Sequence, residues 1–241
     1  MIMLHIDRKL NYGRHILEEV LGSRVTSLRS ATVLDIGAGS GLDLDIVNDA
    51  LVDPSLHAVE VYPPNVEKLR AKGIQCYPKN LEKDSLPFED TSIDLVIANQ
   101  IAEHCKEIFW IFHEMARCLK IGGYLYLGVP NLASLHSRLL LLLGRQPTCI
   151  RNFSAHVRGF TKRDVEDFFD RCFPGGFDTE VFRGANFYPF PPRLANPLAR
   201  LFPSSAVSIF FLLKKRKPYK GEFLYAAEGL ETNFYRGGQK A

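Results

Sequence analysis

Apolar positions along this chain follow two alternating rhythms. Between residues 31 and 129, short runs rich in aliphatic residues, ATVLDI (31–36), HAVEV (57–61), IQCY (74–77), IDLVIAN (93–99) and YLYLGV (124–129), are separated by segments with helical apolar spacing. Leu42, Ile46, Val47 and Ala50 make one helical face, and Ile108, Phe112, Met115 and Leu119 make another. The near-continuous apolar run 93–99 suits a strand covered on both faces. Pro63 and Pro64 suit a helix start, where the missing N–H is harmless. Gly73 suits a helix stop, and Gly122 with Gly123 suits the end of the helix before the fifth strand. This alternation predicts βαβ units and a parallel α/β sheet.

The flanks break the rhythm. In the N-terminal segment 1–30, Ile16, Leu17, Val20 and Leu21 predict a short helix that Gly22 stops. After Pro130, NLASLHSRLLLLLG (131–144) reads as a helix and 145–160 as loop, together a helical lid inserted at the mouth of a site. Leu139 to Leu143 are apolar on every side, which predicts packing into the core, with a dimer contact or a lipophilic pocket as alternatives. Thr161 opens a further helix, with Val165, Phe168, Phe169 and Cys172 inward and Asp164 three residues after the cap. Late strands are expected at 177–183 and 206–213, and the proline-rich stretch between them predicts an irregular insertion over 184–205. The whole of 1–241 reads as one domain.

Composition narrows the function classes. The chain is 46% hydrophobic and 24% charged with a formal charge of +3, a globular balance without the basic excess that nucleic-acid binding favours. Its five cysteines form no C-x-x-C pair, so no metal site or redox pair is expected from them, and their odd number suits a reducing, cytoplasmic setting. The first residues lack the apolar core of a signal peptide, and no run is long enough to span a membrane.

VLDIGAGSG (33–41) carries the chemistry. A buried strand running into Gly37, Gly39 and Gly41 brings backbone N–H groups close to a ligand without an intervening Cβ. The spacing is G-x-G-x-G, with Leu42 where a dinucleotide fingerprint has its third glycine, which disfavours NAD. No P-loop pattern occurs. Asp35, an acid inside an apolar strand, is costly to bury unless paired, and a cationic ligand or the loop N–H groups would pair it. Glu60, at the end of the second predicted strand, can accept the hydroxyls of a ribose or lie as an exposed strand-end charge.

VLDIGAGSG, Glu60, LPFEDTSIDLVIANQIAEHC (86–105) and RCLKIGGYLYLGVPN (117–131) resemble the successive motifs of class I S-adenosylmethionine (SAM)-dependent methyltransferases, over roughly residues 10–183. The nearest branch by resemblance is the small-molecule one of ubiquinone-biosynthesis type. The resemblance implies a Rossmann-like doubly wound, seven-stranded, mostly parallel sheet and SAM as cofactor. It implies that Asp35, Gly37, Ala38, Gly39 and Gly41 face the methionine portion. Glu60 would hold the ribose, Val61, Asn80 and Leu81 would flank the adenine, and Asn99 and Gln100 would line the methionine end and the reaction centre.

Methyl transfer to a hydroxyl needs a base, and histidine is the natural one near neutral pH. His104 and His156 are the candidates, with His136 a weaker third, and Arg158 is a candidate for an anionic substrate group. An N-P-P-Y-like motif after the fourth strand and a Pro-Cys nucleophile are both missing, which disfavours methylation of nucleic-acid bases. The expected activity is methyl transfer to a small molecule, with oxygen the favoured acceptor. Lys214, Lys215, Arg216 and Lys217 beside an apolar strand raise a possible peripheral membrane contact and a lipid-linked acceptor. A non-catalytic SAM-binding partner subunit and an NAD-linked oxidoreductase are the alternatives, and the oligomeric state is open.

Overall fold

The computed structural model describes residues 8–26, 28–230 and 233–237, so most of the first quarter of the 1–30 segment lies outside the described residues. One seven-stranded sheet runs in the order β3-β2-β1-β4-β5-β7-β6. Strands β1 (Thr32–Ile36), β2 (Ser55–Val59), β3 (Gln75–Tyr77), β4 (Ile93–Asn99) and β5 (Leu119–Pro130) pair in parallel. The last strand, β7 (Ser208–Lys215), lies antiparallel between β5 and β6 (Phe177–Ala185).

Both faces are covered. On one, α1 (Arg14–Arg24), α2 (Leu42–Ala50) and α3 (Pro63–Ala71) pack over Val33, Leu95 and Ile97. On the other, α4 (Ile108–Cys118), α6 (Lys162–Cys172) and α8 (Glu222–Ala226) pack over Leu34, Val96 and Ala98. Successive strand residues point to opposite faces. That is why β1 and β4 carry apolar residues toward both faces rather than at alternate positions only.

Four sequence expectations are corrected. Gly22 does not end α1, which continues to Arg24; a lone glycine is tolerated inside a helix. Gly122 and Gly123 lie within β5, where pairing with β4 slips between Ile93 and Leu95, so they serve a bulge rather than a helix end. Within 184–205 a helix forms, α7 (Pro192–Leu201): Pro192 occupies its first turn, where a fixed φ helps, and Ala195 and Ala199 turn inward together. The lid helix α5 (Leu135–Leu142) is short, and its leucines do not join the core. Its inward residue is Ser137, while Leu142 and Leu143 are 82% and 73% exposed.

The basic cluster is also not a free cationic surface. Arg216 pairs with Asp178 and Glu180, and Lys214 lies 3.7 Å from Glu180. Lys217 donates to the Pro174 carbonyl, and Lys215 is buried under α4. Among the described residues no helix is long and apolar enough to cross a membrane.

Candidate functional site

Strand order reverses between β1 and β4, and the crevice at their carboxyl ends is where such sheets hold ligands. The β1–α2 loop turns through positive φ at Gly37, Gly39 and Gly41 (69°, 55° and 80°). A Cβ at Gly37 would meet the Ile101 side chain at 2.6 Å and one at Gly41 would meet Leu69 at 2.7 Å, whereas Gly39 faces open space. Gly41 therefore serves the seating of α2 on α3, and Gly39 is the glycine that leaves room.

Glu60 ties this loop to the end of β2. Its Oε2 accepts from the Gly39 N–H, and its Oε1 accepts from the Val61 and Tyr62 N–H groups, all at 2.8 Å. These bonds end β2 at Val59, before Glu60 itself. Beside Glu60 opens a cavity of about 360 Å³, lined by Gly37, Val61, Asn80 and Leu81 among others, with Ile101 and Cys105 on its far wall. Gly37, Glu60, Val61, Asn80 and Leu81 thus come together from three separate loops.

Behind the glycine loop sits a buried charge cluster. Asp35 is 2% exposed, and burial raises its pKa well above the usual carboxylate range. The neighbouring Asp43 raises it further, and Arg14 opposes the rise. Arg14 Nε donates to Asp43 Oδ1, and Asn99 Nδ2 donates to Asp43 Oδ2, both at 2.7 Å. Asn99 Nδ2 also donates to the Tyr12 carbonyl at 2.9 Å, so the N-terminal segment roofs this cluster. Asp43 was not among the expected site residues. Its one signal was its place in the first turn after Gly41, where an acid also suits the helix dipole.

A second cavity, about 420 Å³, opens at the ends of β4 and β5 beneath the lid. Gln100, His136, Cys149, His156 and Tyr188 line it, with Asn11, Asn131 and Arg151. Gln100 has a φ of 57°, and its Nε2 is buried without a hydrogen-bond partner. Because Gln100 lines this cavity and Ile101 lines the other, one peptide step at the end of β4 divides the two.

His104 lies on a 3-10 turn, Ala102–His104, and His156 on the loop before α6. Their rings meet edge to face with centroids 4.7 Å apart. Burial lowers the His104 pKa, and the His156 ring adds to the effect. Next to them Glu103 is 1% exposed, and burial pushes its carboxyl up to about 8. His136 packs edge-on against Tyr188 at 5.7 Å in the same cavity.

Arg158 lies elsewhere. It lines a separate apolar cavity of about 180 Å³ with Phe109, Phe112 and Phe168, and its Nη2 donates to the Lys106 carbonyl. Ala38 packs against the α1–α3 side of the core. A larger concavity, about 930 Å³, lies between α6 and the β6–β7 pair, where Lys162 pairs with Glu166 and Arg216 with Asp178 and Glu180. Asn11, Glu103 and Tyr188 had no local sequence signal, since only the fold brings them to the site.

Comparison with known proteins agrees with this fold. Residues 34–127 match a methyltransferase-domain family. An uncharacterized methyltransferase of Mycolicibacterium gilvum is 32% identical over 41% of this chain and 38% of its own length. A malonyl-acyl-carrier-protein O-methyltransferase of Marinomonas is 27% identical over 49% of this chain and 44% of its own. The chain thus spans about two fifths of the length of these relatives. Among solved structures, a chain of the Haloferax volcanii complex with the Trm112 methyltransferase activator superposes with a TM-score of 0.61 at 19% identity, over 88% of this chain and 92% of that one. A Burkholderia thailandensis 1,6-didemethyltoxoflavin N1-methyltransferase holding S-adenosylhomocysteine superposes with a TM-score of 0.56 at 14% identity, over 86% and 80%.

Proposed function

We propose that this chain, which has the fold and the domain signature of class I SAM-dependent methyltransferases, binds SAM at the 37–41 loop and transfers its methyl group to a hydroxyl oxygen of a small molecule in the 420 Å³ cavity. The observation that carries this reading is that neighbouring residues at the end of β4, Gln100 and Ile101, line one cavity each. A methyl donor seated beside Glu60 faces an acceptor across Gln100 and Ile101.

The residues present fit the cofactor. Glu60 Oε2 has one backbone partner, and a carboxylate oxygen accepts two bonds, so capacity is left for a ribose hydroxyl. Gly39 leaves open space above the loop. Asp43, buried and partnered by Arg14, supplies negative character at the end that a sulfonium and an ammonium would occupy, and a cation there would favour the ionised form of Asp35. The buried Gln100 Nε2 has a donor to give.

When bound, SAM supplies a methyl carbon already activated by positive sulfur. The chain's own task is alignment, worth roughly 7–11 kcal/mol in favourable intramolecular cases. Its second task is to take the acceptor proton, worth about 10²–10⁴-fold. His156 is the better placed of the two histidines, because it lines the acceptor cavity and its Nδ1 donates to the Cys149 carbonyl at 2.7 Å, leaving Nε2 free to accept. The O-methyltransferase relative supports oxygen as the acceptor atom. The ubiquinone-type branch and a cytoplasmic setting belong to this reading as well.

Titration calorimetry with SAM, S-adenosylhomocysteine and NAD tests the cofactor. SAM and S-adenosylhomocysteine are expected to bind and NAD is not; NAD binding as tight as either would overturn the assignment. Turnover against a panel of phenols, quinols and sugar alcohols tests the transfer. S-adenosylhomocysteine binding without any methylated product would point to a SAM-binding partner subunit instead.

A further inference from the structure

We propose that Glu103, His104 and His156 form a binding site for one first-row divalent metal ion, of zinc or cobalt type, on the wall of the acceptor cavity. One carboxylate oxygen and one ring nitrogen from each histidine lie within 4.8 Å of one another. Bonds of about 2.1 Å to a shared ion put tetrahedral ligands about 3.4 Å apart, so small side-chain rotations close the set. Among the described residues no other group of three such side chains converges in this way.

Three further observations point to a ligand. First, Glu103 Oε2 is fully buried and has no hydrogen-bond partner. A lone buried carboxylate oxygen is costly, and a cation removes the cost. Second, both imidazoles are oriented as metal ligands usually are. His104 Nδ1 lies 3.3 Å from the Ala155 carbonyl, and His156 Nδ1 lies 2.7 Å from the Cys149 carbonyl. A carbonyl only accepts, so each Nδ1 carries the proton and each Nε2 presents its lone pair. Third, the two ligand-bearing segments are clamped together: the Val157 N–H donates to the Glu103 carbonyl at 2.8 Å.

Two nitrogens and one carboxylate suit zinc, cobalt, iron or nickel better than magnesium, which prefers oxygen. Three protein ligands leave positions open, and His156 lines the acceptor cavity, so the site borders it. With the ion bound, His156 Nε2 is a ligand and no longer the base; the ion would instead acidify the acceptor hydroxyl, whose proton passes to water, a role that rests on the methyl-transfer reading above. The ion site itself rests on the three side chains alone.

The test titrates Co²⁺ into metal-stripped protein and follows visible absorption and calorimetry, with S-adenosylhomocysteine titrated in parallel. Wild type is expected to take one Co²⁺ per chain with a coordination spectrum. Glu103→Gln should weaken uptake about tenfold or more, and His104→Asn with His156→Asn should abolish the spectrum. Circular dichroism checks folding, and if the double variant does not fold, the near-isosteric Glu103→Gln decides alone. Wild type without a spectrum, or Glu103→Gln with undiminished uptake, overturns the site. Side-chain-dependent uptake in a protein that ignores S-adenosylhomocysteine sustains the ion site and overturns only the cofactor reading.

Discussion

At the scale of single residues, Glu60 has two tasks that pull on the same atoms. Three backbone N–H groups converge on its carboxylate, so the side chain is a structural knot before it is a ligand contact. Glu60→Gln keeps the shape but turns an amide NH₂ toward at least one of those N–H groups. The expected loss is about 1–3 kcal/mol of stability, the cost of an unmet partner. S-adenosylhomocysteine affinity should also fall about tenfold, since a bound ribose would share the same carboxylate. Urea unfolding and calorimetry on the same variant separate the two, and an affinity change under twofold would leave Glu60 only its structural task. Lys215 is a residue whose burial the sequence disguised as part of a basic tail. It is 0% exposed and donates to the Ala116 and Leu119 carbonyls at 2.6 Å, closing the last turn of α4. Burial lowers its pKa from 10.5 to about 8. The unfolded chain then binds this proton more tightly than the folded one between those values. Stability contributed at this position therefore rises with pH from about 8 toward 10.5. Unfolding at both ends of that window should show the rise in wild type and not in Lys215→Met. An equal slope in both would place the titration elsewhere.

At the scale of elements, periodicity was informative where one element met one neighbour on each side. The strands and helices of 31–129 satisfy that condition, and the two-faced apolar pattern of β4 follows directly from it. Glycine was ambiguous, because a helix stop and a strand bulge both need a residue without Cβ, and Gly122–Gly123 serve the bulge. Proline misled over 184–205 because a proline that excludes a strand still favours the first turn of a helix. The glycine loop was readable because its function is contiguous in sequence. The acceptor cavity was not, because Asn11, Gln100, His156 and Tyr188 reach it from four distant segments. The lid shows the remaining limit: apolarity marks a residue that avoids water, but not what covers it. With Leu139, Leu141, Leu142 and Leu143 exposed beside the cavity, and the basic cluster spent on ion pairs, a membrane contact would act through the leucines. Co-sedimentation with anionic vesicles at low salt is expected to retain the wild type. Leu139→Ser with Leu142→Ser should release it, whereas Lys217→Ala should not. Wild type left in the supernatant would count against a lipid-linked acceptor.

At the scale of the whole molecule, the N-terminal segment, the β1–α2 loop and the end of β4 meet in one charge cluster. Arg14 and Asn99 both donate to Asp43, and Asp35 lies in the same field. SAM carries a methylsulfonium where S-adenosylhomocysteine has a neutral thioether, and the two are otherwise alike. The ratio of their affinities therefore reads the electrostatic field at the sulfur and cancels losses common to both ligands. Asp43→Asn removes a negative charge and should shift the ratio against SAM; Arg14→Ala removes a positive one and should shift it toward SAM. A unit charge about 10 Å away in a medium of effective dielectric ~20 is worth on the order of 1–2 kcal/mol, so each shift should be several-fold, and in opposite directions. Salt should reduce both only weakly, because the cluster is buried. Calorimetry of the two ligands on wild type and both variants supplies the six affinities required. Ratios that stay level, or move in the same direction, would mean that the cluster holds the loop in shape without facing the sulfur. The cofactor would then lie with its charged end elsewhere in the crevice, and the facing of the two cavities across Gln100 and Ile101 would lose its chemical meaning.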